Sequence, residues 1–122
     1  MPTDMSPAVL VVEDDPLIRM DAVGTIEDAG FRTYEAASAT VAIEMMERHD
    51  DIAILFTDIE MPGPMNGLTL AAHVRDGWPP VAIIIASGLA NVERAALPNG
   101  AVFLPKPYAS RQVITTLTHL SP

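Results

Sequence analysis

The stretch AVLVVEDDP, residues 8–16, decides the fold of this chain. Five apolar residues in succession, three of them valine, read as a β-strand buried on both faces. A strand with one wet face would instead alternate apolar and polar residues. A parallel strand of this kind needs helices over both sides of its sheet, and a helix follows at once. Asp15 is a strong N-cap, because its short carboxylate can accept the unpaired amides of a first turn. Pro16 suits the first helical position, where its missing N–H removes no bond. The apolar residues Leu17, Ile18, Met20, Ala22, Val23 and Ile26 recur at roughly helical spacing, and Gly30 supplies a stop.

The same unit repeats along the chain. Phe31 to Ala36 is the expected second strand, and Ser38 caps a helix through about Arg48, with Val41, Ala42, Met45 and Met46 on one stripe. IAILFT (52–57) is the third strand, and Leu68 to Val74 form the core of the next helix. VAIIIA (81–86), the longest apolar run, is the fourth strand; Ala101 to Leu104 is a short fifth. Val113, Ile114, Leu117 and Leu120 mark a closing helix. Between the fourth and fifth strands only NVERAAL (91–97) has helical character, and Pro98 and Gly100 cut it off, so a short or irregular fourth helix is expected there. The sum is a (βα)5 pattern, whose standard solution is an open, doubly wound parallel sheet of five strands with helices on both faces.

A chain of 122 residues is one domain of ordinary size. Residues 1–7 are expected to be a flexible tail and residues 8–120 the domain, with no output domain after it. The sequence has no cysteine, which excludes disulfides and thiolate metal sites. No apolar run approaches the roughly 18 residues of a membrane helix. MPTDMSP (1–7) lacks the basic start of an export signal, so the cytoplasm is the expected location. With seven scattered basic residues and a net charge of −9, direct nucleic-acid binding is not expected, since neutralising phosphates requires clustered Lys and Arg.

The polar residues that interrupt this pattern fall at strand ends. Glu13, Asp14 and Asp15 follow the first strand, Asp58 the third, Ser87 the fourth and Lys106 the fifth. Each alone has an ordinary explanation: a helix cap, a turn former or a solvated charge. All these ends, however, lie on one edge of a parallel sheet, and the edge at the carboxyl ends of the strands is where doubly wound folds bind ligands. Carboxylates gathered there repel one another unless a hard cation joins them. Mg2+ takes one or two carboxylates together with waters and phosphate oxygens. A carboxylate nucleophile, Mg2+, an ammonium group and a hydroxyl together make a phosphoryl-transfer site that works by positioning and electrostatics.

The segments VLVVEDDPLIR (9–19), LFTDIEMPG (55–63), MNGLTLA (65–71), IIIASG (83–88) and FLPKPY (103–108) closely resemble the receiver domains of two-component response regulators, in order, over about residues 8–120. The resemblance implies a flavodoxin-like sheet of order 2-1-3-4-5, which would make Asp14 and Asp58 neighbours. It implies that Asp58 is the phosphoacceptor and that Asp14 holds Mg2+ directly, Glu13 chiefly through water, with the Glu60 backbone carbonyl as a third protein ligand. It makes Ser87 the hydroxyl switch residue, Lys106 the phosphate-contacting lysine and Phe103 the aromatic that turns inward, and it implies a cis bond at Lys106-Pro107. The implied partners are a sensor histidine kinase or phosphotransfer protein and a downstream protein target, with a homodimer as a further candidate; enzyme activity beyond self-phosphorylation and self-dephosphorylation is not implied. MPGPMNG, IASG and LPKPY look most like alphaproteobacterial single-domain regulators and hybrid kinases.

Three departures from the family pattern stand out. Glu13 replaces an aspartate, MPGPMNGL adds residues after Asp58, and the Ser87 to Lys106 interval is short, which should alter the usual output surface. Glu60 and Leu89, flanking the pocket, are expected to set how fast a phosphoryl group is lost. Two other classes compete with this reading: an aspartyl-nucleophile phosphatase or flavin protein of the same architecture, and an interaction module that is never phosphorylated. The phosphatase would want a second Asp where Glu60 stands. A flavin protein would want a Ser/Thr/Gly-rich loop where EDDP repels phosphate. The interaction module would have no use for the full set Asp14, Asp58, Ser87 and Lys106.

Overall fold

A computed structural model describes residues 7–61, 63–88, 97–98 and 100–120. Its elements are β1 (Ala8–Val12), α1 (Pro16–Asp28), β2 (Arg32–Ala36), α2 (Ala39–Arg48), β3 (Ile52–Asp58), α3 (Gly67–Gly77), β4 (Ala82–Ser87), β5 (Val102–Pro105) and α4 (Ser110–Leu120). The five strands form one parallel sheet in the order β2-β1-β3-β4-β5, as the resemblance implies. Residues 89–96 and 99, which include nearly all of the helix expected within 91–97 and the first part of the interval between Ser87 and Lys106, fall outside the described residues, as does most of the N-terminal tail.

The opening run behaves as its composition requires. Every residue of β1 is buried, and its side chains alternate between two cores. Leu10 and Val12 pack with Ala42 and Met46 of α2 and Leu70 and Val74 of α3. Val9 and Val11 pack with Ala22 and Ile26 of α1 and Val113 and Leu117 of α4. The sheet is therefore covered on both faces, α2 and α3 on one side and α1 and α4 on the other.

Capping follows the sequence closely. The Asp15 carboxylate accepts from the amides of Leu17 (2.9 Å) and Ile18 (3.2 Å), and Ser38 Oγ accepts from Val41 N at the head of α2. Gly30, after α1, has φ +96°, a conformation that favours glycine. Of the six apolar residues that mark α1, only Ala22 and Ile26 are buried, whereas Leu17, Ile18 and Met20 are 74, 43 and 66% exposed. At about 3.6 residues per turn, Ala22 and Ile26 share the stripe that faces the sheet, and Leu17 and Met20 fall on the opposite side.

Three strands run one residue beyond the apolar runs that signalled them, to Asp58, Ser87 and Pro105. The backbone ladder ignores side-chain polarity: Asp58 pairs with Ala86 and Ser87 with Pro105. A register shift at Ala8/Val9 sets Val12 opposite Thr57, which brings Asp58 level with the chain just past β1.

Candidate functional site

The carboxyl ends of β1, β3, β4 and β5 bring Glu13, Asp14, Asp58, Ser87 and Lys106 to one edge of the sheet. One carboxylate oxygen from each of Glu13, Asp14 and Asp58 lies within 4.8 Å of the others. Asp14 is exposed, while Glu13 and Asp58 are buried. Two of the three acids thus carry the desolvation cost of burial, and the third opens the cluster to solvent.

The charge that offsets them comes from the residue just past β5. Lys106 Nζ stands 3.2 Å from Asp58 Oδ1 and 3.3 Å from Glu13 Oε1. The contact to Glu13 is a hydrogen bond. The contact to Asp58 has ion-pair distance but not hydrogen-bond alignment, so Asp58 Oδ1 is buried without a hydrogen-bond partner. Glu13 Oε2 accepts from the amide of Asp15 at 3.1 Å. Burial is the main cause that holds the Glu13 carboxyl above its ordinary pKa, and Asp58 adds to it, against the pull of the Asp15 amide and Lys106. Burial would lower Lys106, but the Asp58 and Glu13 carboxylates outweigh it and keep the ammonium form favoured. Burial likewise pushes the Tyr108 phenol up; its ring packs edge-on against Phe56, 5.9 Å between centroids.

The backbone fixes these groups. Lys106 N donates to Ser87 O at 2.8 Å, tying the end of β4 to the lysine, and the Lys106-Pro107 bond is cis. Ser87 is buried at the end of β4. Thr57 Oγ1 donates to Asp58 O (2.9 Å), and Ile59 N donates to Ala86 O (3.2 Å). Phe103, on β5 opposite Ile85, is half-buried against the core that α2 and α3 cover. Glu60 is exposed just past β3, and Leu89 lies outside the described residues.

Two positioning features have no signal in the pattern of polarity. Gly67 opens α3 against the backbone of β3: its N donates to Ile59 O at 2.9 Å, and a Cβ there would lie 1.9 Å from Asp58 O and 2.8 Å from Ile59 Cα. Only glycine fits that approach. The stretch MNGLTLA contains it, and Asn66 caps the helix by accepting from Thr69 N. Arg19 of α1 reaches back to donate to Glu13 O (2.8 Å) while pairing with Glu35 (3.1 Å), so α1, β2 and the acidic loop are joined through one guanidinium.

This donor set suits a hard divalent cation. It is all oxygen, carries three acids within one ion's reach, and leaves Asp58 Oδ1 buried with a lone pair that no hydrogen bond uses. Mg2+ fits on these grounds. A groove of about 350 Å3, lined by Ile18, Asp21, Lys106, Pro107 and Tyr108, adjoins the cluster.

Comparison with known proteins agrees with this geometry. The model of the response regulator receiver domain matches residues 9–118. The sensor kinase CckA of Brucella abortus is 37% identical over 97% of the chain, which spans 13% of that kinase. The C4-dicarboxylate transport transcriptional regulatory protein DctD of Rhizobium meliloti is 33% identical over 89% of the chain, here 24% of the relative's length. A response regulator receiver protein of Sinorhizobium medicae superposes with a TM-score of 0.87 at 31% identity, covering 94% of both chains. The chain thus spans only a small part of the curated relatives it matches, and nearly all of a solved receiver. It belongs to the family of response regulator receiver domains of two-component systems.

Proposed function

We propose that this receiver accepts a phosphoryl group on Asp58 from a sensor histidine kinase or phosphotransfer protein, with Mg2+ bound, and passes the change to a downstream protein. The observation that carries the reading is Asp58 itself, buried at the end of β3 with Lys106 3.2 Å away and two further acids around it. An Asp58 carboxylate oxygen attacks phosphorus, the bond from phosphorus to the donor imidazole breaks, and the electron pair leaves with the imidazole. Asp14 and Asp58, with the Glu60 carbonyl and Glu13 through water, would hold Mg2+, which offsets negative charge on the phosphoryl oxygens. Lys106 neutralises a further share, as an ammonium that its acidic neighbours keep protonated.

The acyl phosphate then adds charge and strong acceptors at the end of β3. Ser87, buried on the neighbouring strand, moves its hydroxyl toward them, and Phe103 turns further inward. The phosphorylated state is a shift of population between two arrangements of this edge, visible to a partner at the surface of β5 and α4. The exposed Leu17, Ile18 and Met20 lie next to the acidic loop, and together with the groove at Tyr108 they offer an apolar rim that a phosphoryl donor would meet. The sensor-kinase relative favours a second reading on the same chemistry, in which the receiver serves a hybrid kinase.

Treatment with acetyl phosphate and Mg2+ should give a phosphoryl adduct that hydroxylamine removes, as acyl phosphates require. A hydroxylamine-stable adduct on a serine or threonine would contradict the assignment to Asp58.

A further inference from the structure

Glu13 is placed to do more than bring a second acid to the pocket. Both of its oxygens are already engaged, Oε1 by Lys106 Nζ at 3.3 Å and Oε2 by Asp15 N at 3.1 Å. Its backbone is pinned from behind, because Arg19 donates to Glu13 O at 2.8 Å. The same Lys106 ammonium lies 3.2 Å from Asp58 Oδ1, so one fixed cation bridges the two buried acids. An aspartate at this position would be shorter by one methylene, about 1.5 Å. With the backbone held, its carboxylate would fall outside the roughly 4 Å range of an ion pair with Lys106.

We propose that Glu13 is a latch for Lys106: it holds the ammonium across Asp58 in the metal-free pocket, must release it when the divalent cation enters, and thereby sets the affinity for Mg2+. Two cations cannot both sit against Asp58 without repelling each other. Binding Mg2+ therefore includes breaking the Glu13–Lys106 contact. The latch has the opposite sign to that of a simple ligand. A direct ligand strengthens metal binding, whereas Glu13, through its extra length, weakens it by stabilising the occupant that the metal displaces. It also keeps the buried acids compensated when no metal is bound, which a short aspartate at 13 would leave to Lys106 and Asp58 alone.

The inference rests on the Mg2+ reading above, and its test separates the two. Mg2+ is titrated calorimetrically into metal-stripped, unphosphorylated protein, with the rise in thermal midpoint on adding Mg2+ as the second readout. Glu13→Asp should tighten Mg2+ roughly fivefold, in line with the loss of one partly exposed ion pair from the metal-free state, and enlarge the Mg2+-induced rise in midpoint. Lys106→Met removes the latched group, so Glu13→Asp added to Lys106→Met should change the affinity no further. Should Glu13→Asp misfold, Glu13→Gln in wild type and in Lys106→Met gives the coupling instead. The lost charge weakens Mg2+ binding in both, but less in wild type, where the latch is lost with it, and equal weakening overturns the latch. Unchanged or weaker Mg2+ binding in Glu13→Asp overturns the latch. Equal tightening with and without Lys106 overturns it too, since the shorter acid would then simply be the better ligand. If the wild type takes up no Mg2+ that Asp14→Asn abolishes, the metal reading itself fails and the latch falls with it.

Discussion

Replacing Gly67 by alanine tests how the end of β3 is held. The added methyl would stand 1.9 Å from Asp58 O and 2.7 Å from Asp58 C, both inside the 3.0 Å that real Cβ contacts respect and the first by more than an ångström. Both are backbone atoms, so no side chain can swing away to relieve the overlap. The hydrogen bond from Gly67 N to Ile59 O also ties the two segments together. Either α3 lifts from the sheet edge or the Asp58-Ile59 peptide moves by about 1 Å. Overpacking of this kind costs about 1–3 kcal/mol, and the roughly 1 kcal/mol by which alanine exceeds glycine as a helix former offsets only part of it. A displacement of about 1 Å at a reacting group can slow a reaction on the order of a hundredfold. Gly67→Ala should therefore lower stability in urea by up to about 2 kcal/mol and slow phosphorylation by acetyl phosphate at least tenfold at saturating Mg2+. Wild-type stability and rate would refute the close approach. A loss of stability with an unchanged rate would show that the contact does not position Asp58.

Other substitutions probe the remaining parts of the account. Gly24 sits inside α1 with nothing within 4 Å of a Cβ, so Gly24→Ala should raise stability by about 0.5–1 kcal/mol in a urea titration. Leu10 is fully buried in the core that α2 and α3 cover, and Leu10→Ala should cost about 2–5 kcal/mol in the same assay. At the opposite edge of the sheet the Asp51 carboxylate accepts hydrogen bonds from Arg32 and Tyr34. Burial raises its pKa, yet these partners hold it below the ordinary 3.8. A depressed folded pKa contributes stability above the unfolded value and loses it as pH falls through the folded one. Asp51→Asn should therefore lower the thermal midpoint at neutral pH, and the gap to wild type should close below about pH 3.8; a gap that widens on acidification contradicts the assignment.

The architecture was legible where local chemistry dictates it. Five apolar residues ahead of Asp15-Pro16 specify a two-faced buried strand running into a capped helix, and Ser38 marks the start of α2 to the residue. The polar residues that close these runs also pointed to the edge where the site forms, because period and polarity are properties of one segment at a time. Strand order is not such a property, and it came from resemblance rather than from spacing. Gly67 shows the limit well: its need for hydrogen in place of a side chain comes from the Asp58 carbonyl, nine positions away and on another element. Arg19 reads as a surface charge until the Glu13 carbonyl is seen within its reach. Helical spacing identified α1 but did not say which arc faces the sheet, so Leu17 and Met20 look like core residues in sequence and are exposed in the fold. Glu13 in place of aspartate was visible as a longer ligand, yet only the 3.3 Å contact to Lys106 shows what that length reaches.

The central claim is that Asp58 takes a phosphoryl group in a Mg2+-dependent pocket. Its most direct test is the intact mass of the protein after incubation with acetyl phosphate, for wild type with Mg2+, wild type with chelator, and Asp58→Asn with Mg2+. The account predicts the mass of one added phosphoryl group in the first sample and none in the other two. An adduct that survives chelation or the loss of Asp58, or no adduct in any sample, would contradict it.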